Sequence, residues 1–172
     1  MELKGDPIFP LKTMPLDWNE PKATRYFGAI RKSGDPHPAC DLMVKAGTEV
    51  FAVADGKVFF ICKGFLGPGL DSIQINHDGF IALYGEVKPV DDLKAGDPVS
   101  KGQKIATVGQ QTPSMLHFEL YITDEKRQVL LPKGGHSKDP EADRYHRAIL
   151  PADPGLHLSQ WKNNFLKQQL VQ

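Results

Sequence analysis

From residue 48 onward the chain is built of short apolar runs, rich in β-branched and aromatic residues, at 49–54, 57–62, 72–77, 80–88, 103–108 and 115–122. Each is bounded by Gly, Asp or Pro, the signature of successive strands. Asp55-Gly56 between the first two runs predicts a type I′ hairpin, whose central positions need positive φ. His77-Asp78-Gly79 predicts a second tight turn of the same kind. Connections this short permit only antiparallel pairing. Gly96-Asp97-Pro98-Val99 and Lys101-Gly102-Gln103 flank a very short segment, as expected where a strand folds back across the end of a sheet. The pattern predicts a mainly β protein with an antiparallel, sandwich-like core.

The ends differ from this middle. Residues 1–25 carry Pro7, Pro10, Pro15 and Pro21, spaced too closely for helix or central strand, and are expected to form an extended arm. Residues 124–156 are polar and broken by Gly134-Gly135, Asp139-Pro140 and Asp153-Pro154, an irregular loop. Leu158, Trp161, Phe165 and Val171 then recur with helical spacing, with Ser159 as the expected N-cap of a C-terminal amphipathic helix. The division is an arm at 1–25, a β domain at 26–123, and a loop and helix at 124–172 packed on that domain.

At 172 residues the chain has the size of one domain, and 21 basic residues balance 21 acidic ones. The basic stripe of a nucleic-acid binder is absent, so no nucleic-acid partner is expected. No run approaches the roughly 20 apolar residues of a membrane span, so no membrane insertion is expected. The first 15 residues lack the basic start and apolar run of a secretory signal. Cys40 and Cys62 are too few for a disulfide framework and are expected to be reduced, packed thiols.

Three segments carry candidate chemistry. His37-Pro-Ala-Cys-Asp41 sets an imidazole and a carboxylate four residues apart at the edge of the first strand. Alone it describes a solvated pair equally well, since an ion needs three or more ligands. Ser114-Met-Leu-His-Phe-Glu-Leu-Tyr121 alternates: Leu116, Phe118 and Leu120 face the core, while Met115, His117 and Glu119 share the other face. Tyr84 and Glu86, two apart, are expected to share a face, as a cross-strand polar pair or as site residues. His77, at a turn, is expected to be structural, and His136, His146 and His157 to be exposed loop residues, with His146 beside Tyr145 and Arg147 alternatively lining a rim of a groove. Arg25 and Arg31 are solvated cations or partners of a substrate carboxylate.

The ordered series His37-x-x-x-Asp41, Ala46-Gly-Thr-Glu-Val50, Ala54-Asp-Gly-Lys-Val58, Ile75-Asn-His-Asp-Gly79, Tyr84-x-Glu86, Gly96-Asp-x-Val99, Lys101-Gly-Gln103, Gly109 and Leu116-His-Phe-Glu119 resembles the LytM and lysostaphin-type M23 metallopeptidases over about residues 26–122. The resemblance implies a β domain with a groove over one face and a zinc ion, Zn2+, bound by His37, Asp41 and His117. Two nitrogens and one oxygen leave a coordination position open, as in catalytic rather than structural zinc sites. The implied activity is cleavage of peptide bonds in the peptidoglycan stem peptide or cross-bridge. Glu119 is then a hydrogen-bond partner behind His117.

The family's remaining two histidines, one ending Tyr-x-His and one opening His-x-His, are Glu86 and Met115 here. Met cannot move a proton, whereas Glu86 can serve as general base beside zinc, with Tyr84 as donor to substrate or oxyanion. Three readings follow: an active endopeptidase or amidase, a weak or inactive relative that binds wall peptide, glycan or a protein partner, and an interaction protein with a structural metal or none. Without a leader in this sequence, action in the periplasm or cell wall implies delivery by a secretion system or phage tail, and otherwise a cytoplasmic location.

Overall fold

A computed structural model of the chain describes residues 3–32, 34–123, 129–132, 145–147 and 150–169. The strands are β1 Cys40–Met43, β2 Glu49–Phe51, β3 Gly56–Cys62, β4 Asp71–Asn76, β5 Phe80–Pro89, β6 Pro98–Val99, β7 Lys104–Val108, β8 Met115–Ile122, β9 Leu130–Pro132 and β10 Tyr145–Arg147, followed by helix α1, Gly155–Gln169. The protein is mainly antiparallel β with one C-terminal helix, as the hydrophobic pattern predicts. The main sheet runs β1-β8-β5-β4-β3-β6, with β7 pairing both β2 and β5. The smaller β9–β10 pair lies in a segment read from sequence as irregular. Residues 124–128, 133–144 with His136, and 148–149 of that segment fall outside the described residues, as do Val171 and the side chains of His146 and Phe165.

The ten-residue strand β5 organises the sheet. Along Phe80–Gly85 it pairs with β8, and beyond Glu86 it pairs instead with β7 through Val87, Lys88 and Pro89. Glu86 stands at that change of partner with φ of 62°, and the ladder to β4 slips at the same level. This is a β-bulge, in which one extra residue bends the strand and re-aims its neighbours.

Leu116, Phe118 and Leu120 of β8 pack with Ile73, Ile75, Phe80, Ala82 and Tyr84 into the main core. The arm contributes Phe9, Leu11 and Trp18, and the helix Leu158 and Trp161. The arm is laid on the sheet by Ile8 N–H to Val53 O (2.8 Å) and Phe51 N–H to Pro10 O (2.9 Å). It holds one turn of 3-10 helix, Pro21–Ala23, where all-extended chain was expected. Proline suits that first helical position, where an N–H has no partner in any case. On the opposite face Cys62, Phe65, Ile81, Leu83, Tyr121 and Val129 form a second cluster. Cys40 and Cys62 are both buried thiols outside any disulfide, and burial pushes the Cys40 thiol up to about 12. No described helix is long and apolar enough to cross a membrane.

Two local expectations are corrected. Asp55-Gly56 does not make a hairpin: β2 pairs with β7 and β3 with β4 and β6, and neither residue has positive φ. Buried Ala52 instead bonds to Gln103 O and Gly102 N, so the chain crosses from one ladder to the next. Gly56 is needed for space, because a Cβ there would meet His77 Nδ1 at 2.7 Å and Asn76 O at 2.8 Å. Gly56→Ala is expected to cost about 2–3 kcal/mol, read as a lower urea midpoint at unchanged slope. The helix begins before Ser159, with Leu158 N–H on Pro154 O and Gly155 N–H on the Asp153 carboxylate. Asp153 is the earlier side-chain acceptor, and Ser159 lies inside the helix.

His77 is structural, as expected. Its ring stacks on Phe80 at 4.5 Å, and Nδ1 donates to Asp55 O at 2.8 Å. Burial lowers its pKa to about 4, partly opposed by the bond to Asp55. The folded state therefore resists protonation that the unfolded chain accepts near 6.5. Its contribution is full above that value and is lost as pH falls towards 4. Between pH 7.5 and 5 this loss is about 2 kcal/mol. Urea unfolding should show wild type losing that much more stability over the interval than His77→Gln.

Candidate metal centre

The register of two strands builds half of the centre. Antiparallel pairing of β1 with β8 sets Asp41 directly opposite His117. The alternation of β8 turns Leu116, Phe118 and Leu120 into the core and leaves His117 and Glu119 on the other face. The rest comes from a narrow loop ahead of β1. There Ile30 and Pro36 form an isolated antiparallel bridge, Arg31 N–H donates to Asp35 O, and His37 N–H to Ala29 O. Asp41 N–H is anchored on Arg25 O at 2.9 Å. This folding carries both Arg31 and His37 to the Asp41 carboxylate.

Around that carboxylate each atom has one task. Asp41 Oδ1 lies 3.1 Å from His37 Nε2 and 3.0 Å from His117 Nδ1. Asp41 Oδ2 accepts from Arg31 Nη2 at 2.6 Å. The far nitrogens are held as well: His37 Nδ1 donates to Tyr26 O at 3.0 Å, and His117 Nε2 is 2.8 Å from Glu119 Oε1. Glu119 in turn accepts from the Tyr121 hydroxyl. His37, Asp41 and His117 are all buried, and one ligand atom from each lies within 4.8 Å of the others. His37 Nε2 has no hydrogen-bond partner.

These atoms fit a divalent cation. Ligands about 2.1 Å from tetrahedral zinc stand about 3.4 Å apart, and the Asp41 oxygen lies 3.1 and 3.0 Å from the two nitrogens, with all three atoms within 4.8 Å. The orphaned His37 nitrogen is the acceptor that such an ion satisfies. Each ring's remaining N–H donates to a carbonyl or carboxylate, which fixes the tautomer as in metal-binding histidines.

Charge is arranged to match. Burial alone would raise the Asp41 pKa, but the bond with His117 and the two imidazoles beside the carboxylate hold it far below the usual carboxylate range. Burial would lower that of His117, but its bonds to Asp41 and Glu119 raise it to about 9. The phenyl ring of Phe65 sits 5.9 Å from the His117 ring. Gly85 permits that approach, because a Cβ there would lie 2.9 Å from Phe65 and 3.2 Å from His117.

Glu86 and Tyr84 part company. The bulge breaks the period of two, so these residues do not share a face. Tyr84 lies fully in the main core, edge-on to Phe118, and its hydroxyl oxygen accepts from Val53 N–H at 3.0 Å. Burial raises its pKa further, and the expected role as donor to substrate is corrected on these grounds. Glu86 turns to the other side, where its carboxylate accepts from the Gln111 amide. Burial raises its pKa, assisted by the charge of Asp41 and opposed by His117, Gln111 and Arg31. Glu86 follows Gly85, the partner of His117 across the β5–β8 ladder, which sets it beside the centre. Gln111 was not singled out from sequence, and Arg31, read there as a solvated cation or the partner of a substrate carboxylate, is instead bonded to Asp41. Met115 begins β8 opposite Met43 and brings no polar group.

Known proteins of similar sequence and structure agree with this architecture. "Uncharacterized protein Rv3786c" of Mycobacterium tuberculosis is 34% identical over 125 residues, covering 69% of this chain and 29% of that protein. The chain thus spans under a third of that relative's length. A zinc containing peptidase from Vibrio cholerae superposes with a TM-score of 0.53 at 26% identity, covering 67% of this chain and 36% of that one. LytU superposes with a TM-score of 0.53 at 26% identity, covering 78% and 82% of the two chains. Peptidase family M23 matches residues 35–129, more than half of the sequence and the span from just before His37 through β8, and the chain belongs to that family.

Proposed function

We propose that this domain is a zinc-dependent peptidase acting on the stem peptide or cross-bridge of peptidoglycan, with His37, Asp41 and His117 as metal ligands and Glu86 as general base. The observation that carries the reading is the convergence of three ligand atoms from the loop, β1 and β8, within 4.8 Å. When bound, zinc supplies a Lewis acid that polarises the scissile carbonyl and makes water more acidic.

The chain's own groups do the rest. Glu119 and the Tyr26 carbonyl fix the two imidazoles, so little reorganisation is needed on binding. Glu86, held by Gln111, takes a proton from the attacking water on its carboxylate and returns it to the leaving amine as the C–N bond breaks. Its raised pKa keeps that carboxylate basic enough for the task.

The test is muropeptide release from purified peptidoglycan, with metal content measured by mass spectrometry on the same sample. One zinc per chain and release that stops with chelator and returns with zinc support the reading. A binding-only reading is favoured by Met115, which leaves that corner of the centre without a proton-carrying group. Co-sedimentation of zinc-loaded protein with the wall, without release, would establish it instead.

A further inference from the structure

The Asp41 carboxylate is divided between two neighbours of different kinds. Its Oδ1 faces both imidazoles, while its Oδ2 is taken by Arg31 at 2.6 Å. That bond uses one N–H of the guanidinium fork, leaving the others uncommitted to Asp41. The Arg31 side chain is 35% exposed, whereas that of Asp41 is 6% exposed, so the pair spans from the floor of the centre to its mouth. Glu86 follows Gly85, which pairs with His117 across the β5–β8 ladder, so the general base and the guanidinium both neighbour residues of the ligand set.

Peptide hydrolysis there needs a donor where negative charge gathers on the carbonyl oxygen. Met115 offers none, and Tyr84 is spent in the core. Glu86 and Glu119 are acceptors when ionised. We propose that Arg31 is the oxyanion donor of this centre: it is braced by Asp41 Oδ2 and directs its remaining N–H groups at the carbonyl oxygen of the scissile peptide. This deepens the peptidase reading and rests on it. Arg31 has a second effect through Asp41, since an occupied Oδ2 leaves only Oδ1 for the metal. A planar guanidinium suits the task better than an ammonium, because it can bond two oxygens at fixed angles.

Inorganic phosphate serves as a tetrahedral anion probe. Isothermal titration of phosphate into zinc-loaded wild type, Arg31→Ala and Arg31→Lys should show affinity falling about 10-fold or more for Ala and less for Lys. On peptidoglycan, Arg31→Ala should lower the turnover rate about 100-fold with little change in half-saturation. Zinc affinity, measured by competition with a chromophoric chelator, should fall by no more than the roughly 10–100-fold of losing a partner behind a ligand, so both variants still load with zinc at saturating metal. Unaltered phosphate binding in a zinc-loaded, folded Arg31→Ala protein would overturn the proposal. Loss of zinc from both variants would also overturn it, reducing Arg31 to a brace for Asp41. If wild type releases no muropeptides while the phosphate pattern holds, the peptidase reading fails and the anion site stands.

Discussion

His117→Ala is expected to strip the domain of zinc and to abolish muropeptide release. Losing a hydrogen-bond partner behind a ligand costs roughly 10–100-fold in metal affinity, and losing the ligand itself costs more. Dialysis against zinc followed by mass spectrometry should give one ion per chain for wild type and close to none for the variant. The same change should weaken the fold with chelator present. His117 stands between Asp41 and Glu119, 3.0 and 2.8 Å away, and both carboxylates are buried. Removing the imidazole takes from both buried carboxylates the cation they share, while Asp41 keeps Arg31 and Glu119 keeps the Tyr121 hydroxyl. Breaking a buried pair in this way costs about 3–5 kcal/mol, or a melting temperature about 10 °C lower for a domain of this size. Glu119→Gln provides the graded control. It retains the shape and an acceptor for His117, loses the charge, and should reduce zinc affinity within the 10–100-fold range. A His117→Ala protein that still binds one zinc with unchanged affinity would remove the basis of the metal assignment.

The parts of this site that sequence revealed are those governed by a simple period. Alternation along β8 put His117 and Glu119 on one face and Leu116, Phe118 and Leu120 on the other, as the core shows. The His37-x-x-x-Asp41 spacing gained meaning from its order among other matched segments, and the register of β1 on β8 supplies the convergence. Where periodicity fails, the reading failed with it. Tyr84 and Glu86 are two apart, yet the bulge at Glu86 sends one into the core and the other to the centre. A non-glycine residue at positive φ leaves no mark in a pattern of apolar and polar letters. Asp55-Gly56 misled for a related reason. Glycine there serves close packing against His77 and Asn76 rather than a turn, and the two needs select the same residue. Arg31 lies ten positions from Asp41, and only the folded-back loop at Ile30 and Pro36 brings their side chains together.

Glu86→Gln should keep zinc and fold yet lose nearly all turnover. Glutamine preserves the length of the side chain and an oxygen for the Gln111 amide, so the centre keeps its shape. It cannot take a proton from water near neutrality, and removing a general base lowers rates by about 100- to 10,000-fold. Glu86→Gly separates function from structure more sharply. Residue 86 sits at φ 62°, where a side chain is strained and glycine is at ease, and its carboxylate is buried at a cost. The glycine variant should be at least as stable as wild type, by up to about 1 kcal/mol, and as inactive as the glutamine variant. Stability is read from urea unfolding and activity from muropeptide release, both on zinc-loaded protein. Wild-type release by Glu86→Gln would show that the proton is carried by another group and would remove Glu86 from the reaction.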